Sequence, residues 1–562
     1  SRPDALMERV FAPWPDMEEE MRRRGIPLFA LESREPVKTF DVLGFSLQYE
    51  MTYTNLLSML DLAGVPLQSR ARGVEHPLVC AGGPGALNPE PLADFVDFFL
   101  LGDGEEAVHD IVREVREWKQ AGRPGGREGA LLRLAGVEGV YVPGFYGVEY
   151  ESDGTLRGVW PRRPGVPARV RRRVARLRPE DAPRCPLVPA VEVVFDRAMV
   201  EVFRGCTRGC RFCQAGVIYR PVRERPAAEA MSLARQAVDA TGYPEVSLVS
   251  LSSADYSAIR EVAGGLAREL APRGVSVSLP SLRADAFSVG LASDLHRVRK
   301  SGLTFAPEAG TERLRRAINK SLGEEEFLAA VRAAQDAGWQ HLKLYFMVGL
   351  PGETEEDLGG IVSLVERVLA EARGRGGRRL SLSVSVAPFV PKAHTPFQWE
   401  PQLPVDELGR RLGLLRSRLR RRNVRFSGHD PRLSLVEAVF ARGDRRLGAA
   451  LEAAFRLGCR FDAWSDRFRY ELWLEAFERS GADPGFYAHR RRPHSEVLPW
   501  DHLDAGVSRR FLEREHDRAL RGETTPDCRG GACEGCGACG GAGRAGGAER
   551  RAPGEDKVPQ AG

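Results

Sequence analysis

Three cysteines lie within eight residues in the stretch E-V-F-R-G-C-T-R-G-C-R-F-C-Q-A-G, residues 201–216. Cys206, Cys210 and Cys213 have the spacing C-x3-C-x2-C and follow the apolar run 199–203. On a glycine-bearing loop leaving a strand, three thiolates can converge on one side of an iron–sulfur cubane and leave its fourth iron open. An open metal position is where chemistry occurs, whereas a structural zinc site closes with a fourth ligand. No Cys or His follows Cys213 for dozens of residues, which disfavours zinc. A second set, Cys528, Cys533, Cys536 and Cys539, reads C-x4-C-x2-C-x2-C among glycines. Four thiolates suffice for a closed site, and the spacing leaves zinc and a second cluster both open. Cys80, Cys185 and Cys459 stand alone and read as ordinary thiols.

Elements must hold the first triad in place. Alternating strand and helix patterns, with strands expected near 199–203, 246–251, 275–279, 303–305, 341–348 and 380–386, predict a partial (β/α)6 TIM-type barrel over 197–401. Its site would lie at the carboxyl ends of those strands. The triad spacing, with aromatic Phe212 before the third cysteine, resembles the signature of the radical S-adenosylmethionine (SAM) superfamily. The resemblance implies a [4Fe-4S] cluster on Cys206, Cys210 and Cys213 that chelates SAM through its open iron. Reductive cleavage of SAM to a 5′-deoxyadenosyl radical would follow, with hydrogen abstraction from a substrate the sequence does not name. It further implies a one-electron reductant such as flavodoxin or ferredoxin.

The same resemblance places candidate SAM contacts after successive strands. S-L-S-S-A-D-Y (250–256) offers Ser252, Ser253 and Asp255 for the methionyl amine, and Arg283 follows the third strand as a partner for a carboxylate. T-F-A-P-E-A-G-T (304–311) supplies Glu308 for the ribose hydroxyls. V-G-L-P-G-E-T (348–354) supplies Gly349 and Pro351 beside the adenine, with Thr354 capping the next helix. The proline-rich loop 387–399 carries Lys392 and His394, which could meet substrate or serve as acid and base.

Residues 1–122 read as a Rossmann-like α/β domain, with strands expected at 26–30, 41–47, 77–81 and 95–101 and glycine turns A-G-G-P-G-A (81–86) and L-G-D-G-E-E (101–106). The chain opens on Ser1 as though in mid-domain, so a first βα unit is expected to be missing. These segments resemble the cobalamin-binding domain that precedes the barrel in one radical SAM subgroup. That makes cobalamin a candidate cofactor and methyl transfer a candidate reaction. The Asp-x-His-x-x-Gly loop of many such domains is not present. A methylthiotransferase-like enzyme acting on RNA or protein is the alternative, and a non-catalytic corrinoid or redox sensor is the reading from a different class.

Residues 123–196 form a connector with a hairpin turning at Ser152-Asp153-Gly154, 402–522 a helical extension packed on the barrel, and 523–562 a Cys-rich tail with a disordered end. With 82 Lys+Arg against 77 Asp+Glu, the net charge of +5 does not point to nucleic acid. The arginine-rich runs 169–178 and 416–425 could grip RNA, although solvated surface explains them more simply. Apolar content of 43%, no long apolar run and grouped cysteines predict a bacterial cytoplasmic protein with no membrane span.

Overall fold

Short apolar strands separated by amphipathic helices can pair only in parallel, because each helix carries the chain back to the same end of the sheet. The computed structural model describes residues 5–191, 193–280, 303–320, 322–336, 338–373 and 380–539. In the N-terminal part, β1 (Val42–Ser46), β2 (Leu78–Gly82) and β3 (Phe98–Leu100) run parallel, and β4 (Val140–Tyr141) closes the sheet antiparallel to β3. The helix Ala107–Gln120 buries Ala107, Ile111, Val115 and Trp118, a stripe at helical spacing. The strand expected at 26–30 does not form. Pro27 has no N–H for a ladder, and only an isolated bridge joins Phe29 to Pro36. The expected hairpin is present as β5 (Tyr146–Tyr150) and β6 (Leu156–Pro161), followed by β7 (Val170–Arg171).

The barrel begins with β8 (Ala198–Glu201). A small antiparallel pair, β9 (Phe203–Arg204) and β10 (Arg223–Glu224), follows it. Then come β11 (Glu245–Val249), β12 (Ser276–Ser278), β13 (Leu303–Glu308), β14 (His341–Val348), β15 (Ser381–Pro388) and β16 (Val424–Gly428). β8, β11 and β12 form one parallel arc, and β13 to β16 form another. Residues 281–302 between the arcs, and Arg283 with them, lie outside the described residues. Leu342, Leu344, Phe346 and Val348 of β14 share a core with Leu358, Ile361 and Val365 of the helix Glu355–Arg373. The alternate residues, Lys343, Tyr345 and Met347, are left half-buried or exposed.

Two expectations change here. The parallel arc does not stop near 401: the helix Val405–Arg418 returns the chain so that β16 pairs with β15 as a further parallel strand. Nor do the later helices pack chiefly on the barrel. Phe440, Leu447, Leu451 and Trp473 share one core with Tyr53, Leu57, Phe95 and Phe99 of the N-terminal part. The contact includes buried polar groups, since Asp462 accepts hydrogen bonds from Thr54 Oγ1 (2.6 Å) and Trp473 Nε1 (3.0 Å). Farther on, β17 (Leu503–Asp504) pairs in parallel with β7. The N-terminal sheet and the C-terminal helices therefore form one body, with the barrel inserted between them in the chain. No helix among the described residues is long and apolar enough to cross a membrane.

Candidate active site

The triad loop leaves the carboxyl end of β8 and is pinched at its base by β9 and β10, where Arg204 pairs with Arg223 and Phe203 with Glu224. Gly205 makes that pinch sterically feasible. Its φ is +91°, and a Cβ there would meet the Tyr219 and Pro221 carbonyl oxygens at 2.6 and 2.7 Å. Cys206, Cys210 and Cys213 are all half-buried, and none is in a disulfide. Burial pushes the Cys213 thiol up to about 12. The neighbouring Cys210 and Cys206 add to this, and the Gly216 N–H and Lys320 oppose it. The Gly216 N–H donates to Cys213 Sγ at 3.4 Å. Three half-buried thiols thus sit on one loop anchored at both ends.

Arginines between and after the cysteines do the anchoring, and the sequence did not single them out. Arg211 is fully buried and donates to the carbonyls of Ala317 and Glu523, both at 2.8 Å, and to Glu515 at 3.1 Å. Arg220 donates to the carbonyls of Cys206 (3.2 Å) and Gly216 (2.9 Å). Asn319, at φ +55°, donates to the Arg208 carbonyl at 3.0 Å and accepts from the Thr525 N–H at 2.8 Å. An arginine in a cysteine loop normally reads as solvated, and only the fold reveals these as buried clamps.

The strand ends around the loop hold the other candidates. Ser253 is buried, and its hydroxyl donates to the Leu248 carbonyl at 3.1 Å, so it is turned into the fold rather than toward a ligand. Its neighbour Ser252 is 3% exposed, with a buried hydroxyl that has no protein partner. Such an orphan is costly unless a ligand or water meets it. Asp255 forms a two-pronged pair with Arg208 of the triad loop, with Nε–Oδ2 at 2.9 Å. Glu308 ends β13 beside a register shift and holds φ +69°, a conformation that glutamate seldom adopts. Its carboxylate lies 3.4 Å from Lys320 Nζ.

The turn after β14 matches its expected form. Gly349 has φ +83°, and a Cβ there would reach Leu408 at 3.0 Å. Its N–H donates to Glu353, a carboxylate that also pairs with Arg411. Pro351 follows in the same turn, and Asp357 reaches back to the Thr354 N–H at 2.8 Å, closing the start of the next helix. Phe212 packs against Ala309, Leu350 and Phe389, and so ties the triad loop to the ends of β13, β14 and β15.

Lys392 and His394 do not face this mouth. Lys392 Nζ lies 2.7 Å from both Glu50 and Glu437, joining the N-terminal sheet, the barrel loop and a C-terminal helix. His394 is 6% exposed, with Nε2 2.9 Å from the Leu87 carbonyl oxygen. Both are structural cross-links.

The tail cysteines lie against the same loop. Asp527 approaches Arg208 at 3.5 Å, and Arg529 donates to the Asp255 carbonyl at 2.8 Å. Elsewhere, His494 Nε2 and His516 Nδ1 are 2.8 Å apart, and His516 Nε2 meets Glu400 at 2.8 Å, a buried hydrogen-bonded chain against Trp399.

Residues 1–143 match the family described as radical SAM proteins, N-terminal, and residues 200–365 match the radical SAM superfamily. A Methanocaldococcus jannaschii protein described as uncharacterized is 30% identical over 433 residues, spanning 77% of this chain and 84% of that one. The tRNA-2-methylthio-N(6)-dimethylallyladenosine synthase of Cereibacter sphaeroides is 28% identical over 296 residues, 51% of this chain and 61% of that protein. Among solved structures, the radical SAM methyltransferase TsrM of Kitasatospora setae, with cobalamin and a [4Fe-4S] cluster bound, aligns at TM-score 0.48 and 12% identity over 83% of this chain and 91% of that one. With its family matches in the expected places and a relative alike over most of both lengths, the chain belongs to the radical SAM superfamily, enzymes that use a [4Fe-4S] cluster and S-adenosylmethionine.

Proposed function

We propose that Cys206, Cys210 and Cys213 hold the [4Fe-4S] cluster and that the ends of β11, β13 and β14 hold SAM. What supports this is three thiols on an anchored loop after β8, with the orphaned Ser252 hydroxyl and the left-handed Glu308 at the carboxyl ends of further parallel strands. When bound, the cluster supplies one electron to SAM, whose cleavage yields methionine and a 5′-deoxyadenosyl radical. The protein's own groups position and shield. Arg211, Arg220 and Asn319 fix the loop backbone, Phe212 packs the loop onto the neighbouring strand ends, and Ser252 offers a buried hydroxyl to the amino-acid end of SAM. Glu308 takes the ribose hydroxyls, and Gly349 to Pro351 give the adenine a backbone wall. Asp255 acts by holding Arg208, because its carboxylate is already paired. The reductant in this reading is of the flavodoxin or ferredoxin class, and the compartment is a reducing cytosol.

At the N-terminal sheet, where the resemblance would place cobalamin, several polar groups beyond the strand ends already have protein partners. Beyond β1, Glu50 is held by Lys392. Beyond β2, Leu87 accepts from His394, and Asn88 donates to the Phe440, Ala441 and Gly443 carbonyls. Beyond β3, Asp103 is held by Arg204 and Arg223. The similarity to the tRNA methylthiolation enzyme favours modification of a nucleic acid or protein as a second reading of the substrate.

The test is anaerobic loading with iron and sulfide, reduction with dithionite, and assay of 5′-deoxyadenosine formed from SAM. Product from the wild type and none from Cys210→Ala is expected. A loaded wild-type cluster that yields no product would sink the proposal.

A further inference from the structure

The tail cysteines remain unassigned by that reading, and their surroundings are informative. They lie in a chain segment that is pinned rather than loose. The Cys536 carbonyl accepts from the Ser508 N–H at 2.8 Å, and Glu534 pairs with Arg518 at 3.0 Å. Gly535 and Gly537 supply two left-handed turns between the ligand positions. All four thiols are exposed or half-buried, and none is in a disulfide. Burial raises the Cys528 and Cys539 thiols. Neighbouring cysteines add to this, and the positive charge of Arg220 opposes it at both. Hydrogen bonds and an ion pair on Asp527, Glu534 and Cys536 thus fix the backbone that carries the four thiols.

Spacing separates the candidate metals. A tetrahedral zinc with bonds of about 2.3 Å brings its sulfurs to about 3.8 Å from one another. Among the described residues, the metal-ligand atoms found within 4.8 Å of one another in groups of three or more are those of His494, His516 and Asp517. No three of the tail cysteines reach that closeness, and neither do Cys206, Cys210 and Cys213. A cubane seats each thiolate on a separate iron and spreads them wider than a single ion does. Neither cysteine set is drawn in as closely as a single tetrahedral ion requires.

The tail also has a fixed seat. Arg208 lies between Cys206 and Cys210 and pairs with Asp527, next to Cys528. Thr525 and Asn319 exchange two hydrogen bonds, at 2.8 and 3.1 Å, and Asn319 holds the Arg208 and Gly209 carbonyls. Arg529, next to Cys528, donates to the Asp255 carbonyl at 2.8 Å, and Asp255 in turn holds Arg208.

We infer that Cys528, Cys533, Cys536 and Cys539 hold a second iron–sulfur cluster of the four-iron class, seated against the loop of the first triad through Arg208 and Asn319. The seating half of the statement rests on the triad reading above; the metal half does not.

The experiment uses the full chain loaded anaerobically with iron and sulfide. Iron, sulfide and zinc are counted, and electron paramagnetic resonance spectra are recorded after dithionite reduction. The wild type is expected to hold about eight irons per chain, and Cys533→Ala/Cys539→Ala about four. Both residues are exposed, so the double variant should fold, and circular dichroism checks that it does. The Cys206→Ala/Cys210→Ala/Cys213→Ala variant should also hold about four irons, now on the tail. In the reduced wild type, magnetic coupling between neighbouring clusters should broaden the signal, and either set of substitutions should restore a simple single-cluster spectrum. One zinc per chain that disappears with the tail substitutions would overturn the metal assignment, as would a wild type with about four irons, all lost with the triad. About eight irons without coupling would overturn the seat. Iron lost only through the tail substitutions would sink the triad reading and leave the tail assignment standing.

Discussion

The chain contains two parallel sheets whose strands end in glycine turns, and the two ends have different fates. At the N-terminal sheet, charged and backbone groups past the strand ends are tied to other parts of the chain. Glu50 meets Lys392, Asp103 meets Arg204 and Arg223, and Leu87 meets His394. At the barrel, the strand ends present thiols on an anchored loop, a buried hydroxyl without a protein partner, and a glutamate in a left-handed conformation. The same architecture is cross-linked to the barrel and the C-terminal helices in one place and carries the candidate active site in the other. The difference lies in where the compensating charges are. Arg204 and Arg223 beside the N-terminal sheet neutralise Asp103, whereas Arg211 and Arg220 direct donors to backbone carbonyls of and around the triad loop, with Arg208 and Arg211 also pairing Asp255 and Glu515.

The largest test of this contrast is Cys210→Ala. It should lower triad iron and bring 5′-deoxyadenosine formation to background while leaving the fold intact, because Cys210 is half-buried and supports no packing core named above. Retention of SAM cleavage would erase the distinction between the two strand ends.

Next in size is Lys392→Met. Removing the ammonium leaves Glu50 and Glu437 buried without their cation, which should cost about 3–5 kcal/mol of stability measured by urea unfolding. Burial already raises the Glu50 carboxyl, with Lys392 opposing that shift, so the effect should be larger at neutral pH than at acid pH, where Glu50 can protonate. Unchanged stability with lost turnover would instead move Lys392 into the reaction.

A pH titration of stability addresses the same platform. Burial pushes His394 down to about 4, with the Leu87 carbonyl and Asp504 opposing and His502 and Arg169 adding. Burial pushes His502 down to about 4 as well, against Glu90 and with Arg445. The folded values lie below the ordinary 6.5, so between about 6.5 and about 4 the unfolded chain binds more protons than the folded one. Stability should therefore fall as pH drops through that window, by roughly 3 kcal/mol for each histidine at its acid end. His394→Asn keeps a donor for Leu87 and tolerates the φ of +60° at this position, and it should remove its share of the acid slope. An unchanged slope would show that His394 is not buried neutral.

These contrasts also mark what the sequence could reveal. The triad, the Gly349 turn and the helix start at Thr354 were legible because each depends on residue types at short spacing. The strand order followed from alternation, since parallel pairing leaves few choices. Partnerships over long separations were not legible. Lys392 with Glu50, Arg211 with Glu515, and the helices 431–480 packed on the N-terminal part are set by tertiary packing, and charged residues give no sequence sign of being buried. Pro27 could have been read against a strand at 26–30, but the apolar run masked it. Ser252 and Ser253 are adjacent and chemically identical, so only the fold could show which hydroxyl is occupied.

The smallest effect probes Glu308, where strain and function can be separated. At φ +69° a glutamate side chain carries a backbone penalty of about 1 kcal/mol that glycine does not. Glu308→Gly removes the penalty together with the carboxylate, whereas Glu308→Gln keeps the penalty and removes only the charge. If the carboxylate serves the ribose, both variants should bind SAM more weakly by equilibrium dialysis, and the glycine variant should be the more stable of the two. Asn319 is the matched control. It has a left-handed φ of +55° at the same mouth, but its side chain holds the triad loop, so Asn319→Gly should lose stability despite the relaxed backbone. Equal SAM affinity in wild type and Glu308→Gly would mean that the strained glutamate shapes the β13 bulge rather than the ligand pocket, and Ser252 would then carry the polar recognition at that mouth.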